Sequence, residues 1–419
     1  MKFSLKSDYF RHIATLLSGT AAAQLILFAA TPFLARLYSP ADFGVYAVFL
    51  AFTSILGVVA SGRYEIAILL PRSDEEAGQL FRLCLIITSL FALFCFLLIL
   101  LWEFFPFFEN SEAYRIRFWL PGAIWLQGVW QALNSIGNRY KSYKNIAFSR
   151  LIGSIVTVVV TLLFAFWDFA AMGLIAGKLI GQSVETFCLY FYQKRVSAGD
   201  KSAAGFQNLF LKYQNMLRFS TIEGLLNTGF KQIPVFALSA KFSLNAAGFY
   251  SMTQNILSKP VGLVSSAVGQ VFFREAAELH HEGGAALSRF FVKNLRMLFL
   301  LILPPTLLII FFGKPVFGWL LGSQWLEAGV YGAWLMPFIA VTFLKSPLSC
   351  IIDIKNQIRQ NLIFEILFFC MSLAAFYLGS FFQSALLGVQ IFSLGNSVIG
   401  IIQLFWFYKL TKTSGGFDK

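Results

Sequence analysis

The 419-residue sequence contains few charged residues. Asp, Glu, Lys and Arg make up 13% of the chain, whereas 58% of the residues are hydrophobic. A soluble domain usually carries about 25% charged residues, so this chain has too little polar surface to solvate a globule of its size. The net charge of +13 would suggest nucleic acid as the partner of a soluble protein. In a membrane protein it is typical of basic cytoplasmic loops, and we expect no nucleic-acid partner.

The residue types that usually perform catalysis or bind metal ions are also scarce. There are three histidines and five cysteines, none with the spacing of metal ligands. The chain has no Gly-rich phosphate-binding loop and no nucleophile beside a base. The cysteines lie in or beside apolar segments, where we expect packing roles. The sequence therefore predicts no enzyme, no catalytic residue, no metal site and no cofactor, although it allows a coupling ion of undefined identity.

Apolar blocks close to 20 residues long, the length that a helix needs to cross a bilayer, fill most of the chain. They lack the alternating pattern of barrel strands, so we predict an all-α integral membrane protein with about twelve transmembrane helices. The short loops leave no room for an extramembrane domain. The predicted spans are residues 13–37, 43–62, 79–102, 117–138, 145–167, 169–192, 214–240, 246–270, 290–313, 328–351, 360–380 and 384–408.

Lysines and arginines in the loops and near the ends of these spans are distributed unevenly. The predicted topology places 24 of them on one side of the membrane and 5 on the other. Because positive charge favours the cytoplasmic side, this bias predicts that both termini are cytoplasmic and that the number of spans is even. The count assigns Arg150 to the cytoplasmic side.

Two segments indicate an internal repeat. Residues 32–46 begin with a proline and end with a Gly-x-Tyr motif, and residues 234–250 have the same pattern. The two prolines are 202 residues apart, and the two tyrosines are 204 residues apart. Six spans separate the copies, so we predict two six-helix halves related by a parallel repeat around a central cavity. The predicted domains are an N-terminal lobe at 1–196, a cytoplasmic linker at 197–212 and a C-terminal lobe at 213–419.

Polar and ionisable residues inside the spans are the candidate site residues, because such groups are costly in lipid and usually face a cavity or a partner. Several share one helical face, such as Lys178 with Glu185 and Gln131 with Asn134. The candidate substrate-binding residues are Gln24, Arg63, Gln131, Asn134, Lys178, Glu223, Lys231, Asn255, Lys259 and Lys345.

Buried positive charge from Lys231, Lys259 and Lys345 suits an anionic group such as a pyrophosphate. Other interpretations stay open for the remaining candidates. Lys178 and Glu185 could form a structural pair, and Arg63 could extend to the membrane surface. The Gln and Asn stripes could join helices.

Three segments resemble the Wzx-type polysaccharide flippases. These are residues 61–71 (SGRYEIAILLP) followed by the acidic residues 74–76, the turn at 40–46 (PADFGVY), and residues 269–276 (GQVFFREA). That family belongs to the superfamily that includes multidrug and toxin extruders and the peptidoglycan-precursor flippase.

The resemblance implies a transporter of the bacterial inner membrane that flips undecaprenyl-pyrophosphate-linked oligosaccharide to the periplasmic leaflet by alternating access, for O-antigen and lipopolysaccharide synthesis. It also implies that Lys231 and Lys259 contact the pyrophosphate and that Arg63 guards the cytoplasmic mouth. The implied partners are the lipid-linked oligosaccharide, membrane lipids, and the polysaccharide polymerase with its chain-length machinery.

Other functions predict features that can be checked in the sequence. A cation-coupled multidrug exporter should have a buried carboxylate in the first span, which this sequence lacks. A glycan polymerase or ligase should have a large periplasmic loop, which the short loops exclude. A peptidoglycan-precursor flippase should have more arginines in the first half. A membrane scaffold would not need lysines deep in its spans.

Overall fold

The computed structural model describes residues 2–102, 116–167, 169–193, 209–214, 220–282, 284–355 and 357–412. Every regular element in these residues is helical. The helices before residue 200 are α1 (Lys2–Leu37), α2 (Pro40–Val59), α3 (Tyr64–Ala67), α4 (Asp74–Trp102), α5 (Leu120–Arg139), α6 (Tyr143–Phe166) and α7 (Ala170–Gln193). The later helices are α8 (Thr221–Lys241), α9 (Leu244–Glu282), α10 (Gly284–Leu321), α11 (Leu326–Leu348), α12 (Ile351–Ile354), α13 (Ile358–Phe381) and α14 (Ala385–Lys412).

Twelve of the helices in the described residues have 20 residues or more, and they correspond one to one with the twelve predicted spans. Most boundaries agree within a few residues. The largest differences are α1, which begins before the predicted start, and α9, which continues to Glu282 instead of ending near residue 270. The charged segment 274–282 forms the end of this helix. It is continuous with α9 because no glycine or proline interrupts residues 270–282.

Nine of the long helices in the described part of the chain are long and apolar enough to cross a membrane. Large apolar side chains cover their outer surfaces, as at Phe311, which is 72% exposed, and Trp319, which is 79% exposed. A soluble protein rarely exposes apolar surface on this scale. The chain is therefore a multi-pass membrane protein. The three long helices that do not meet the criterion are α5, α7 and α8, and each of them carries predicted polar site residues.

The chain divides into two compact units, unit 1 at residues 1–232 and unit 2 at 233–419, and each is described by itself. Most of the predicted linker, residues 197–208, lies outside the described residues. In unit 1, α4 packs on α5, α2 on α5, α6 on α7 and α5 on α7. The equivalent helices of unit 2 make the same pairs. These are α10 with α11, α9 with α11, α13 with α14 and α11 with α14. This recurrence confirms the predicted parallel repeat.

The repeat also extends to the turn that opens each copy. In the first copy the Ser39 hydroxyl accepts a hydrogen bond from the Asp42 backbone N–H at 3.2 Å, and α2 begins at Pro40. In the second copy the Ser243 hydroxyl accepts from the Ala246 backbone N–H at 3.1 Å before α9. A serine in this position satisfies a helix N–H that has no partner in the helix. The two serines are 204 residues apart, the offset of the Gly-x-Tyr motifs.

The closest helix contact in unit 1 joins α6 to α7. A Cβ atom added at Gly177 would lie 2.0 Å from Thr161 Oγ1, and one added at Gly181 would lie 1.9 Å from Thr157 Oγ1. Only glycine permits this approach of the two helices. Small residues at helix contacts are typical of membrane proteins, and here the contact brings the polar residues of α7 next to those of α6.

Candidate functional site

A partly buried arginine connects three helices inside unit 1. Arg150 of α6 donates from Nη1 to Thr20 Oγ1 of α1 at 2.7 Å and from Nη2 to Asn134 Oδ1 of α5 at 3.1 Å. Its guanidinium also lies over the Trp130 ring at 5.4 Å. The sequence count places Arg150 on the cytoplasmic side, seven residues after the start of α6. The structure places it in a network with the candidate Asn134.

A carboxylate completes this network. Glu185 of α7 accepts a hydrogen bond from Trp130 Nε1 at 2.6 Å, and the charges of both Lys178 and Arg150 act on it. One turn before Glu185, Gln182 donates to Gln127 Oε1 of α5 at 2.8 Å. The unit 1 polar network is therefore Thr20, Gln127, Trp130, Asn134, Arg150, Lys178, Gln182 and Glu185.

Two further candidates lie beside this network. Gln24 is half-buried on α1, one turn after Thr20. The Oε1 atom of Gln131 is buried and has no hydrogen-bond partner among the described residues. With two cations and one carboxylate, the network carries a surplus positive charge.

The loop between α2 and α4 holds Arg63 in a strained backbone conformation. Its φ angle is 62°, in the left-handed region that non-glycine residues seldom adopt. Its guanidinium lies 3.8 Å from Glu65 Oε1 and donates from Nε to the Ser220 carbonyl at 3.4 Å. The Ser61 hydroxyl donates to the same Glu65 carboxylate. A Cβ added at Gly224 of α8 would lie 2.6 Å from Arg63 Nη2. Arg63 is therefore fixed against the start of α8, with its side chain 29% exposed.

The segment 209–214, just before α8, docks on the same loop. Tyr64 stacks on Phe210 with ring centroids 5.7 Å apart and donates from its hydroxyl to the Phe210 carbonyl at 3.0 Å. Glu76 at the start of α4 pairs with Lys212 and accepts from the Tyr213 hydroxyl at 3.0 Å. The hydrogen bond to Glu76 raises the pKa of the Lys212 ammonium, and burial together with Glu76 raises the pKa of the Tyr213 hydroxyl.

Arg139, the last residue of α5, holds this loop from the other side. It donates to the backbone carbonyls of Ile68, Pro71 and Ser73 and pairs with Asp74 at 3.0 Å. An arginine can serve several carbonyls at once because its planar group carries five donors. The family-like segment at residues 61–71 is therefore a rigid part of unit 1.

The candidates on α8 and α9 are exposed. Glu223 and Lys231 lie two turns apart on one face of α8, and Asn255 and Lys259 lie one turn apart on α9. Lys231 occupies the middle of its helix, and Lys259 lies within an apolar helix long enough to span a membrane. A charge exposed at that depth is costly in lipid and usually faces a water-filled cavity.

Lys345 on α11 is held by residues of unit 2. Its ammonium donates to Gln403 Oε1 at 2.9 Å and lies 3.9 Å from the centroid of the Phe368 ring. Gln403 in turn donates to Asn361 Oδ1 at 2.8 Å, and the charge of Glu365 acts on the lysine. The contact therefore joins α11, α13 and α14. Gln403 is one of two glutamines in the last span, and only the packing of the helices reveals its role.

Unit 2 also contains a cavity of about 110 Å³ between α9 and α11. None of the candidates named from the sequence lines it. Among the described residues, no group of three His, Cys, Asp or Glu side chains is arranged to hold a metal ion. The cavity is lined by Gln254, Ser258, Val261, Gly262, Ser265, Phe338, Ile339, Thr342 and Ser346.

Comparison with known proteins identifies both a family and a fold. The sequence model of the family described as polysaccharide biosynthesis protein matches residues 33–330. No curated protein sequence matches significantly. A MATE-family multidrug resistance transporter of the MOP superfamily, in an inward-facing conformation, has a similar structure, with a TM-score of 0.69 at 16% identity over 95% of this chain and 96% of that chain.

Two other solved structures show the same likeness. The lipid II flippase MurJ in an inward closed conformation matches with a TM-score of 0.73 at 13% identity, over 94% of this chain and 90% of that chain. A MOP-superfamily transporter from Pyrococcus furiosus, whose binding pocket is described as having reverse polarity, matches with a TM-score of 0.58 at 16% identity, over 96% and 95%. At these identities the likeness defines the fold. The chain therefore belongs to the polysaccharide biosynthesis protein family and has the fold of the MOP-superfamily transporters.

Proposed function

We propose that this protein flips an undecaprenyl-pyrophosphate-linked oligosaccharide from the cytoplasmic to the periplasmic leaflet of the bacterial inner membrane by alternating access. The cargo would serve surface polysaccharide synthesis, including O-antigen and lipopolysaccharide. The family match over residues 33–330 supports a role in this process. The observation that carries the transport proposal is the exposure of Lys231 and Lys259 inside long helices of a transporter fold.

An exposed lysine in the middle of a span is costly in lipid and usually faces water or an anionic group. A pyrophosphate supplies both charge and acceptor oxygens, and ammonium groups bind phosphates as point charges. We therefore assign Lys231 and Lys259 to the pyrophosphate. Arg63 has only part of its guanidinium engaged with Glu65 and Ser220, which leaves it able to contact an entering head group.

The remaining candidates take neutral or supporting roles in this proposal. Asn255 and Gln24 would bond to sugar hydroxyls, and Gln131 offers an acceptor without a described partner. Glu223 lies on the same face of α8 as Lys231 and would line the path of the cargo beside it. Asn134, Lys178 and Lys345 would hold the helices that form the path, because each lies in a network of side chains.

A flippase for a peptidoglycan precursor is the second candidate function, since the fold matches MurJ over 94% of this chain. Both cargoes carry a lipid pyrophosphate, so the exposed lysines suit both. A cation-coupled drug exporter suits the exposed lysines less well, because positive side chains repel cationic drugs.

The proposed orientation has both termini in the cytoplasm, as the distribution of lysines and arginines predicts. The polysaccharide polymerase and its chain-length machinery would receive the cargo on the periplasmic side. The energy source would be an ion gradient or removal of the cargo after flipping.

Deletion of the gene tests the proposed function. We expect loss of surface polysaccharide, with lipid-linked repeat units accumulating on the cytoplasmic face of the inner membrane, and recovery of both when the gene is restored. Growth of the deletion strain with normal peptidoglycan would show that the protein is not needed to flip the peptidoglycan precursor. Unchanged surface glycan in a strain without another flippase for it would contradict the proposal.

A further inference from the structure

The cavity of unit 2 has walls of unusual chemistry for a membrane protein. No charged side chain lines it, and its polar groups are hydroxyls and one amide. Its volume of about 110 Å³ exceeds the space of a single water molecule several-fold. Apolar side chains alternate with the polar ones around the walls: Val261, Phe338 and Ile339 among Gln254, Ser258, Ser265, Thr342 and Ser346.

Two of the polar groups are buried without a partner. Ser265 is 5% exposed, and its Oγ has no hydrogen-bond partner among the described residues; the same holds for Gln254 Oε1. Neighbouring hydroxyls on α9 are satisfied, since Thr253 donates to the Ala328 carbonyl at 2.8 Å and Ser266 to the Leu263 carbonyl at 2.9 Å. A buried polar group without a partner is costly. The unpartnered oxygens in the walls therefore indicate a ligand with hydrogen-bond donors.

The length of the cavity restricts that ligand. From Gln254 to Ser265 the wall on α9 extends about 16 Å, at 1.5 Å per residue. Oxygen atoms so far apart cannot all coordinate one cation, because each ligand oxygen must lie within about 2.6 Å of the ion. An anion finds no positive side chain in the walls, and Gln254 Oε1 would repel it. An elongated, neutral molecule with many hydroxyls fits both the length and the chemistry, because a hydroxyl donates and accepts.

We propose that this cavity binds the sugar rings of the cargo, separately from the lysines that bind its pyrophosphate. The inference rests on the proposed function for the identity of the cargo. Hydroxyls of the sugar would donate to Gln254 Oε1 and Ser265 Oγ. The apolar side chains Val261, Phe338 and Ile339 would contact the faces of the sugar rings that carry C–H groups.

Two substitutions change the cavity without removing a hydrogen bond that the described residues make. Ser265→Ala deletes an unpartnered hydroxyl, so folding should be unaffected while sugar binding weakens. Gly262→Phe fills the cavity, and a Cβ at Gly262 meets no atom within 4 Å. Gly122→Phe in α5 of unit 1 is the matched control, because its Cβ also meets no atom within 4 Å.

The test measures binding to the purified full-length protein in nanodiscs by titration calorimetry. One probe is the neutral repeat-unit oligosaccharide released from the strain's own lipid-linked glycan, and the other is undecaprenyl pyrophosphate without sugar. We expect Ser265→Ala to weaken oligosaccharide binding about fivefold, the effect of one neutral hydrogen bond. Gly262→Phe should abolish it, and Gly122→Phe should leave it unchanged. All three variants should bind undecaprenyl pyrophosphate as the wild type does.

Oligosaccharide binding at wild-type strength in both cavity variants would overturn the inference, as would a wild type that binds no oligosaccharide. Equal weakening of both probes would also overturn it, because the cavity would then not be specific for sugar. Failure of the proposed function looks different. In that case the deletion strain keeps its surface glycan, whatever the cavity binds.

Discussion

The unit 1 polar network and the cavity of unit 2 differ in whether their polar groups have partners within the protein. In unit 1, the charged side chains Arg150, Lys178 and Glu185 interact with one another and with side chains of neighbouring helices. In unit 2, the cavity between α9 and α11 is lined by neutral groups, two of which have no partner in the described residues. A polar residue inside a span is therefore insufficient to define a binding site. What separates a structural network from a site is whether the protein itself satisfies the group.

The largest effect should come from breaking the charge balance of unit 1. Glu185→Gln keeps an acceptor for Trp130 but leaves Lys178 and Arg150 without their carboxylate. Removing one member of a buried charged network typically costs about 3 kcal/mol. We expect a clear drop in the unfolding temperature of the detergent-solubilised protein.

Glu223→Gln is the control for this prediction, because Glu223 is exposed on α8. Its unfolding temperature should match the wild type. If Glu185→Gln unfolds normally but stops transport, the unit 1 polar network takes part in transport and is not only structural.

A smaller loss of stability is expected from Lys345→Met. This change keeps the aliphatic stem but removes the hydrogen bond to Gln403 and the contact with Phe368. Loss of these contacts should cost about 1–2 kcal/mol, measured by thermal unfolding, while the exposed Lys314→Met on α10 should change nothing. Unaltered stability together with lost flipping would instead make Lys345 a ligand of the substrate.

The smallest effect is expected at the segment 209–214. Lys212→Ala removes an exposed ion pair with Glu76, and such pairs contribute little. Because the pKa of Lys212 is raised in the folded protein, its contribution is fully present at neutral pH and is lost as the pH rises through that value. The wild type and Lys212→Ala should therefore differ slightly in stability at pH 7 and converge once the pH rises above the raised pKa of Lys212. A difference that grew at alkaline pH would contradict this assignment.

The sequence predicts the helices well because the thickness of the bilayer fixes their length and composition. It fails where contacts depend on packing. Charge counting places Arg150 on the cytoplasmic side, but the sequence does not show that α1 and α5 supply the partners of this side chain. Ser265 gave no signal, since most hydroxyls in spans bond to a carbonyl of their own helix, as Ser266 does. Only the neighbouring helices show which hydroxyl is unpartnered.

The central claim is that exposed lysines on α8 and α9 carry the pyrophosphate of a lipid-linked glycan. Its most direct test is flipping of fluorescent undecaprenyl-pyrophosphate oligosaccharide in proteoliposomes that contain the purified protein. The wild type and Lys241→Ala, a control at the exposed end of α8, should move the lipid between leaflets. Lys231→Ala and Lys259→Ala should each slow flipping at least about tenfold, the effect of losing one charged hydrogen bond. Full flipping by the Lys231→Ala, Lys259→Ala double variant would contradict the account.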